Sequence, residues 1–271
     1  MQISRGWSLA RAAVVILVAG AACAGPAPVA WQDATVIAAS TPPAAQVAFD
    51  SAGGVTFAVR PVPPGAPDFP AACRASIRFA QDEAGTWYAA WWAVRPDSSA
   101  GLWASRSDDG GRTWLPPHIV DSTDVGVTGC TRAPPSIAAS GDYVHLAYSM
   151  HAREGAGVFF AHSMDRGGLF HTPVPIAYGQ HPNLTSIAAH GDRVVVAYED
   201  PNGEEGRVGL AISATMGHIF EAHVQVSGNN GDAVEPEVAL HDTHVAVSWT
   251  ERAGVNGTGP SARLLRVGVL Q

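Results

Sequence analysis

Apolar residues along this chain either alternate with polar ones or run together for four to eight positions, and they do not recur at helical spacing. That is the pattern of short β-strands. Four of the runs end on an aromatic: Trp91 in WYAAW, Tyr148 in YVHLAY, Tyr198 in RVVVAY and Trp249 in HVAVSW, at steps of 57, 50 and 51 residues. A shorter apolar stretch precedes each, CRASIRF, PPSIAAS, LTSIAAH and EPEVALH, and in the middle two a Gly-Asp pair at 141 and 191 marks the turn between them. Each unit therefore reads as four short strands. Units of about fifty residues that bury their faces only by stacking on one another are propeller blades, so the pattern predicts an all-β propeller. The 29 glycines and 20 prolines interrupt the chain too often for long helices.

A second element recurs in phase with the first. Residues Ser107-Asp108-Asp109-Gly110-Gly111-Arg112-Thr113-Trp114 fit the pattern S-x-D-x-G-x-T-W, with Ser107, Asp109, Gly111, Thr113 and Trp114 at its defined positions. Weaker copies follow at Ser163, Asp165, Gly167 and Phe170 and at Ser213, Gly217 and Phe220, and one precedes at Gly54, Thr56 and Phe57. The chemistry suits a hairpin tip: Ser and Asp accept nearby amides, glycine supplies a positive φ, and the aromatic packs back on the sheet. In these residues the chain resembles the sialidase superfamily, whose bacterial neuraminidase repeats carry such Asp boxes. The resemblance implies a sialidase-like β-propeller in which the boxes join the third and fourth strands of each blade, on the face opposite the ligand site. It also implies that the boxes are structural rather than catalytic.

The chain ends sharpen the blade count. The fourth unit reaches residue 271 where its outer strand is due, and the first unit has a box and the stretch VTFAVRPVP, read as an outer strand, but no clear inner one. Strands from the two termini are expected to complete each other, which removes exposed sheet edges. About five four-stranded blades result, two of them incomplete; merging both ends into one blade would give four.

Residues 1–24 have the form of an export signal, with Arg5 and Arg11 flanking a short n-region ahead of the 13-residue apolar stretch AAVVILVAGAACA, which ends in small residues and is too short to span a membrane. Cleavage after Ala24 would release the chain, whereas cleavage before Cys23 would leave a lipid anchor there. Residues 25–43 read as a linker with room for a first strand, and residues 44–271 as the propeller. Export leaves two cysteines, Cys73 and Cys130, each ahead of an inner strand of adjacent blades, and an oxidising compartment predicts a disulfide between them. The localisation expected is secreted, periplasmic or lipid-anchored at a bacterial cell envelope. The basic residues are all arginine; without the two in the signal, 14 face 24 acids, a net −10. That charge argues against nucleic acid as a partner. No His or Cys spacing suggests a metal, His241-Asp242-Thr243-His244 reads as a surface turn, and no cofactor is expected.

Groups on the loops that enter the inner strands or leave the aromatic-tipped ones should share the face opposite the boxes. The ligand-binding candidates are Arg74, Arg132, Arg153, Glu235, Glu237 and Arg252, with Arg95, Asp97, Asp124, His151, His181, Asn183 and Glu251 on the same loops. The resemblance implies sialidase chemistry, which needs three arginines on a substrate carboxylate, a tyrosine nucleophile activated by glutamate, and an acidic aspartate. Tyr148, Tyr198, Glu199 and Asp200 are the catalytic candidates. The family's Phe/Tyr-Arg-Ile-Pro segment is missing, with Val59-Arg60-Pro61 the nearest match, and Trp91 and Trp249 occupy the tyrosine position in other units. Three readings follow: an exported propeller that binds glycan or protein, an exo-sialidase-type glycosidase, and a structural scaffold of the envelope.

Overall fold

The computed structural model describes residues 27–37, 45–65, 69, 71–126, 129–202, 205–228, 231–253 and 259–271. The export signal and Cys23 lie outside them. The described residues form nineteen strands and one short 3-10 turn, Arg74–Ser76. Three sheets have four antiparallel strands in chain order. The first holds β5 (Arg78–Gln81), β6 (Trp87–Val94), β7 (Ala100–Ser107) and β8 (His118–Asp121). The second holds β9 (Ser136–Ser140), β10 (Tyr143–Ala152), β11 (Gly155–Ser163) and β12 (Val174–Tyr178). The third holds β13 (Thr185–His190), β14 (Arg193–Glu199), β15 (Val208–Ser213) and β16 (Ala222–Gln225).

The last sheet joins the two ends of the chain. Strands β17 (Asp232–His241), β18 (His244–Arg252) and β19 (Ser261–Leu270) are bordered by β1 (Val29–Trp31) and β2 (Thr35–Val36), both antiparallel to β19. The N-terminal segment thus covers an edge that β19 would otherwise leave open. A fifth sheet has two strands, β3 (Ala45–Phe49) and β4 (Val55–Val59).

Five strands, β3, β5, β9, β13 and β17, line a common central channel. Aligned by their pairing with the second strands, they read QVAF, RFAQ, SIAA, SIAA and EVAL from residues 46, 78, 136, 186 and 237. The shared alanine has a packing cause. Side chains of each innermost strand point to the neighbouring sheets, and the sheets converge on the axis, so a methyl is set against a larger residue. Ala80 packs in one cluster with Ile137, Ala138 with Ile187, Ala188 with Val238, and Ala239 with Val47.

This register overturns two sequence expectations. VTFAVRPVP is a second strand rather than an outer one, because β3 lies at the axis and pairs with β4. The turn between them, where Asp50 accepts the amides of Ala52 and Gly54, corresponds to the inner turn where Asp82 accepts that of Thr86. The upstream copy at Gly54, Thr56 and Phe57 is therefore not a third-to-fourth-strand turn. In the next sheet, Arg78 and not Ser76 occupies the position of Ser136 and Ser186. Ser76 ends the 3-10 turn, where its hydroxyl donates to the Cys73 carbonyl and accepts the Trp92 amide. Between β4 and β5, Gly65 and Phe69 reach the next sheet: Trp114 Nε1 donates to the Gly65 carbonyl at 2.8 Å, and Phe69 stacks on Trp91 at 4.3 Å.

The turns after β7, β11 and β15 share one construction. Ser107, Ser163 and Ser213 each accept, through Oγ, the amide of a glycine four residues on, Gly111, Gly167 or Gly217. Those glycines have φ of +83°, +80° and +86°, and a Cβ on Gly111 would also come within 2.5 Å of Pro63. Asp109 takes the amides of Arg112 and Thr113 and the Thr113 hydroxyl, which hold its carboxyl well below the usual range. Asp165 takes the amide of Leu169, and in the third turn the Thr215 hydroxyl takes that of Ile219.

Candidate functional site

At the end of the channel where chain segments enter the innermost strands, a cavity of about 150 Å³ opens. Its walls include Gln46, Arg60, Arg78, Glu235 and Glu237, with the hydroxyls of Ser136, Thr185 and Ser186. Arg60 also borders the wider space of about 410 Å³ that continues along the axis. Among the described residues its guanidinium has neither a hydrogen bond nor a contact ion pair. Burial pulls its pKa down, Glu237 opposes that pull, and Arg78 reinforces it. Arg78 donates Nη1 to the carbonyls of Ala75 and Ile77 at 3.1 and 2.9 Å, and burial lowers its pKa as well. Gln46 Oε1 is buried without a partner among the described residues.

The carboxylates of this cavity are largely engaged. Burial pushes Glu237 upward, opposed first by Arg263, whose guanidinium donates to it. The amide of Val47 and the hydroxyl of Ser248 add donors at 3.4 Å each. Glu235 sits on the bulge between Val234 and Glu237 with φ of +55°, a left-handed conformation that turns its side chain to Thr250, whose hydroxyl donates at 2.9 Å. Glu199 is also raised by burial, but the Glu235 amide at 2.8 Å and Asn183 Nδ2 at 2.7 Å both donate to it.

The other sequence candidates are dispersed. Arg74 is exposed at the start of the 3-10 turn. Arg132 is nearly fully buried, ion-paired to the equally buried Asp124, donating to the Gly129 carbonyl and lying 5.5 Å over the Trp92 ring. Arg252 faces Asp232 at 3.7 Å at the end of β18. Arg153 borders an outer groove with Arg95 and Asp97. His151 and Asn183 line a small cavity beside Asp124, the His181 amide donates to the Pro201 carbonyl, and Glu251 accepts Trp249 Nε1. Arg60, Arg78 and Gln46, absent from the sequence candidates, hold the axis. The signal that could have found Gln46 and Arg78 is the inner-strand repeat read in its true register; Arg60 follows the second strand β4.

The four catalytic candidates do not converge on the arginines. Tyr148 is fully buried and donates to Asp121 Oδ2 at 2.6 Å; burial, then the Asp121 charge, drives its pKa well above the ordinary value. Tyr198 is pushed up to about 12 by burial and Asp200, and these two flank a separate cavity with Arg207 and His223. Glu199 is committed to Asn183 and Glu235 as above. A phenol raised in this way is a poor nucleophile near neutral pH. Among the described residues no group of three His, Cys, Asp or Glu side chains is placed to hold a metal ion. Cys73 and Cys130 form a disulfide that ties together the segments entering β5 and β9.

No family model matches the chain, and no curated protein matches it in sequence. Among solved structures it is similar to a protein of unknown function from Dyadobacter fermentans, at 14% identity and TM-score 0.49, covering 90% of this chain and 100% of that one. It is also similar to a Hadza microbial sialidase at 16% identity and TM-score 0.47, covering 70% of this chain and 43% of that one. A third is the endosialidase of phage phi92, at 13% identity and TM-score 0.48, covering 80% and 38%. The chain spans less than half the length of these two enzymes.

Proposed function

We propose that this protein is an exported propeller of sialidase-like type that binds an acidic glycan at the axial cavity without cleaving it. The observation that carries the reading is the Arg60 guanidinium, borne on the axis beside Arg78 with no bonded partner among the described residues. A fork of N–H donors aimed into a cavity suits a carboxylate, which it can take bidentately. Gln46 Oε1 is left over as an acceptor for a ligand hydroxyl or amide. Glu237 is paired with Arg263, and Arg60 and Arg78 then outnumber the remaining carboxylate, Glu235, so the cavity carries a net positive charge.

The Ser-Gly turns with their Asp109 and Asp165 caps support the Asp-box resemblance, and the axial cavity lies at the opposite end of the strands from them. Export is supported by the leader in residues 1–24 and by the disulfide. No helix of the described residues is long and apolar enough to cross a membrane. Glycosidase chemistry is the second reading, and the burial of Tyr148 and Tyr198 away from Arg60 counts against it. A purely structural envelope role gives Arg60, which has no bonded partner among the described residues, no task.

Calorimetric titration of the mature protein with N-acetylneuraminic acid tests the proposal. Binding is expected, Arg60→Ala should weaken it at least ~10-fold because a charge-assisted hydrogen bond contributes roughly 1.5–3 kcal/mol, and a fluorogenic sialoside should not be turned over. Equal binding by Arg60→Ala would reject the axial site. Turnover abolished by Tyr148→Phe or Tyr198→Phe would replace binding with catalysis.

A further inference from the structure

Read in layers from the axial cavity into the channel, the five innermost strands change character in one step. The first layer is Gln46, Arg78, Ser136, Ser186 and Glu237, all polar and all in the wall of the axial cavity. The second is Val47, Phe79, Ile137, Ile187 and Val238, and the third consists of alanines alone. The fourth holds Phe49, Ala139, Ala189 and Leu240 with one polar member, Gln81. Together with Pro61 and Trp87, the last three layers wall the wider space of about 410 Å³.

Among the described residues, Arg60 is the one that borders both spaces. Its guanidinium, without a bonded partner there, thus stands on the boundary between a polar layer and an apolar one. Burial lowers its pKa, as expected of a cation that has lost water and gained no contact partner. Such a fork can take a carboxylate from either side. On the channel side, the remainder of the ligand would meet methyls and rings, which favour an alkyl chain over a hydroxylated sugar.

The size of the space limits that chain. An apolar cavity of about 150 Å³ holds one benzene, so the channel has room for roughly two to three such volumes. Part of that room is left for hydration of the unpaired inner edges of the strands. One unbranched tail of about eight to twelve carbons fits what remains.

We infer that the channel binds a medium-chain fatty acid, with its carboxylate on Arg60 and its tail along the axis past Val238 and Ala189, in competition with the acidic glycan for the same guanidinium. This site goes beyond the glycan reading and depends on it only for the competition.

Calorimetric titration of the mature protein with hexanoate, octanoate and decanoate, and with octanol as the uncharged control, tests the inference. Affinity should rise at least ~10-fold from hexanoate to decanoate, since each fully buried CH₂ is worth about a 4-fold factor and this tail is covered in part. Octanol should bind at least ~10-fold more weakly than octanoate, and Arg60→Ala should remove that difference. Ala189→Phe, at a position that borders the channel and not the axial cavity, should weaken decanoate at least ~10-fold and leave N-acetylneuraminic acid unaffected, with its melting temperature as the check on folding. Decanoate should displace N-acetylneuraminic acid.

An affinity that does not grow with chain length, or octanol binding as tightly as octanoate, would overturn the inference; both are read on the unaltered protein, so they decide it even if Ala189→Phe does not fold. Simultaneous binding of decanoate and the sugar would overturn it too, because Arg60 would not be shared. Sugar binding without fatty-acid binding removes the channel site and leaves the axial one. Fatty-acid binding without sugar binding sustains the channel site and removes the glycan reading.

Discussion

His145 is fully buried on β10 between Tyr143 and Phe160, and neither ring nitrogen has a partner among the described residues. Burial, reinforced by the nearby His162 and His218, lowers its pKa to about 3. His162, stacked on His171 and edge-on to His218, is lowered to about 4, again mainly by burial. The unfolded chain takes up these protons as pH falls through about 6.5, and the folded protein does not until near 3 or 4. Stability is therefore undiminished by these groups above about 6.5 and is lost as pH falls below it. For His145 alone the loss should reach about 2 kcal/mol at pH 5. Denaturant unfolding of the protein and of His145→Phe at pH 7 and pH 5 measures it: the variant should show the smaller decline, and equal declines would refute the assignment.

Strands are held in their sheets by what covers their edges. β19 has β18 on one side and only the short β1 and β2 on the other, five N-terminal residues set against a strand of ten. Val29 and Leu270 nevertheless belong to the same buried cluster as Trp249. Removing residues 27–36 should lower the melting temperature and open a ten-residue edge to pairing with another chain. Size-exclusion chromatography over a range of concentrations checks this; a variant that stays monomeric and as heat-stable as the parent would show that the N-terminal strands do not secure the sheet. These strands were legible only as a gap in the sequence. The repeat left the last unit without an outer strand, and the need to close an edge pointed to the N-terminal segment, which pairs with β19. The identity of β3 was not legible, because an Asp that accepts the amide four residues on serves an inner turn as well as an outer one, as Asp50 does with Gly54 and Asp109 with Thr113.

Across the whole molecule the Cys73–Cys130 bridge closes a loop of 57 residues between neighbouring sheets. Constraining the unfolded chain in this way is worth about 4 kcal/mol in the chain-entropy model. Equilibrium unfolding of the oxidised protein and of the Cys73→Ser, Cys130→Ser pair should differ by that order, and matching curves would mean that the bridge adds nothing to stability.

By itself the sequence determined the all-β class, the repeating unit, the pairing of the two cysteines and the meeting of the two ends, because strand periodicity, turn residues and the cost of open edges are local or additive quantities. It could not determine which arginines reach the axis. The alternating pattern of a strand is unchanged by a slip of two residues, so Ser76-Ile77 matched Ser136-Ile137 as well as Arg78-Phe79 did. Only the 3-10 turn after Cys73, with Ser76 bonded into it, sets the start of β5 and brings Arg78 to the channel. Arg60 reached it because β3 stands at the axis and carries β4 with it, while Arg132, at the expected place in the chain, is buried against Asp124 and Trp92. Long-range packing made those choices.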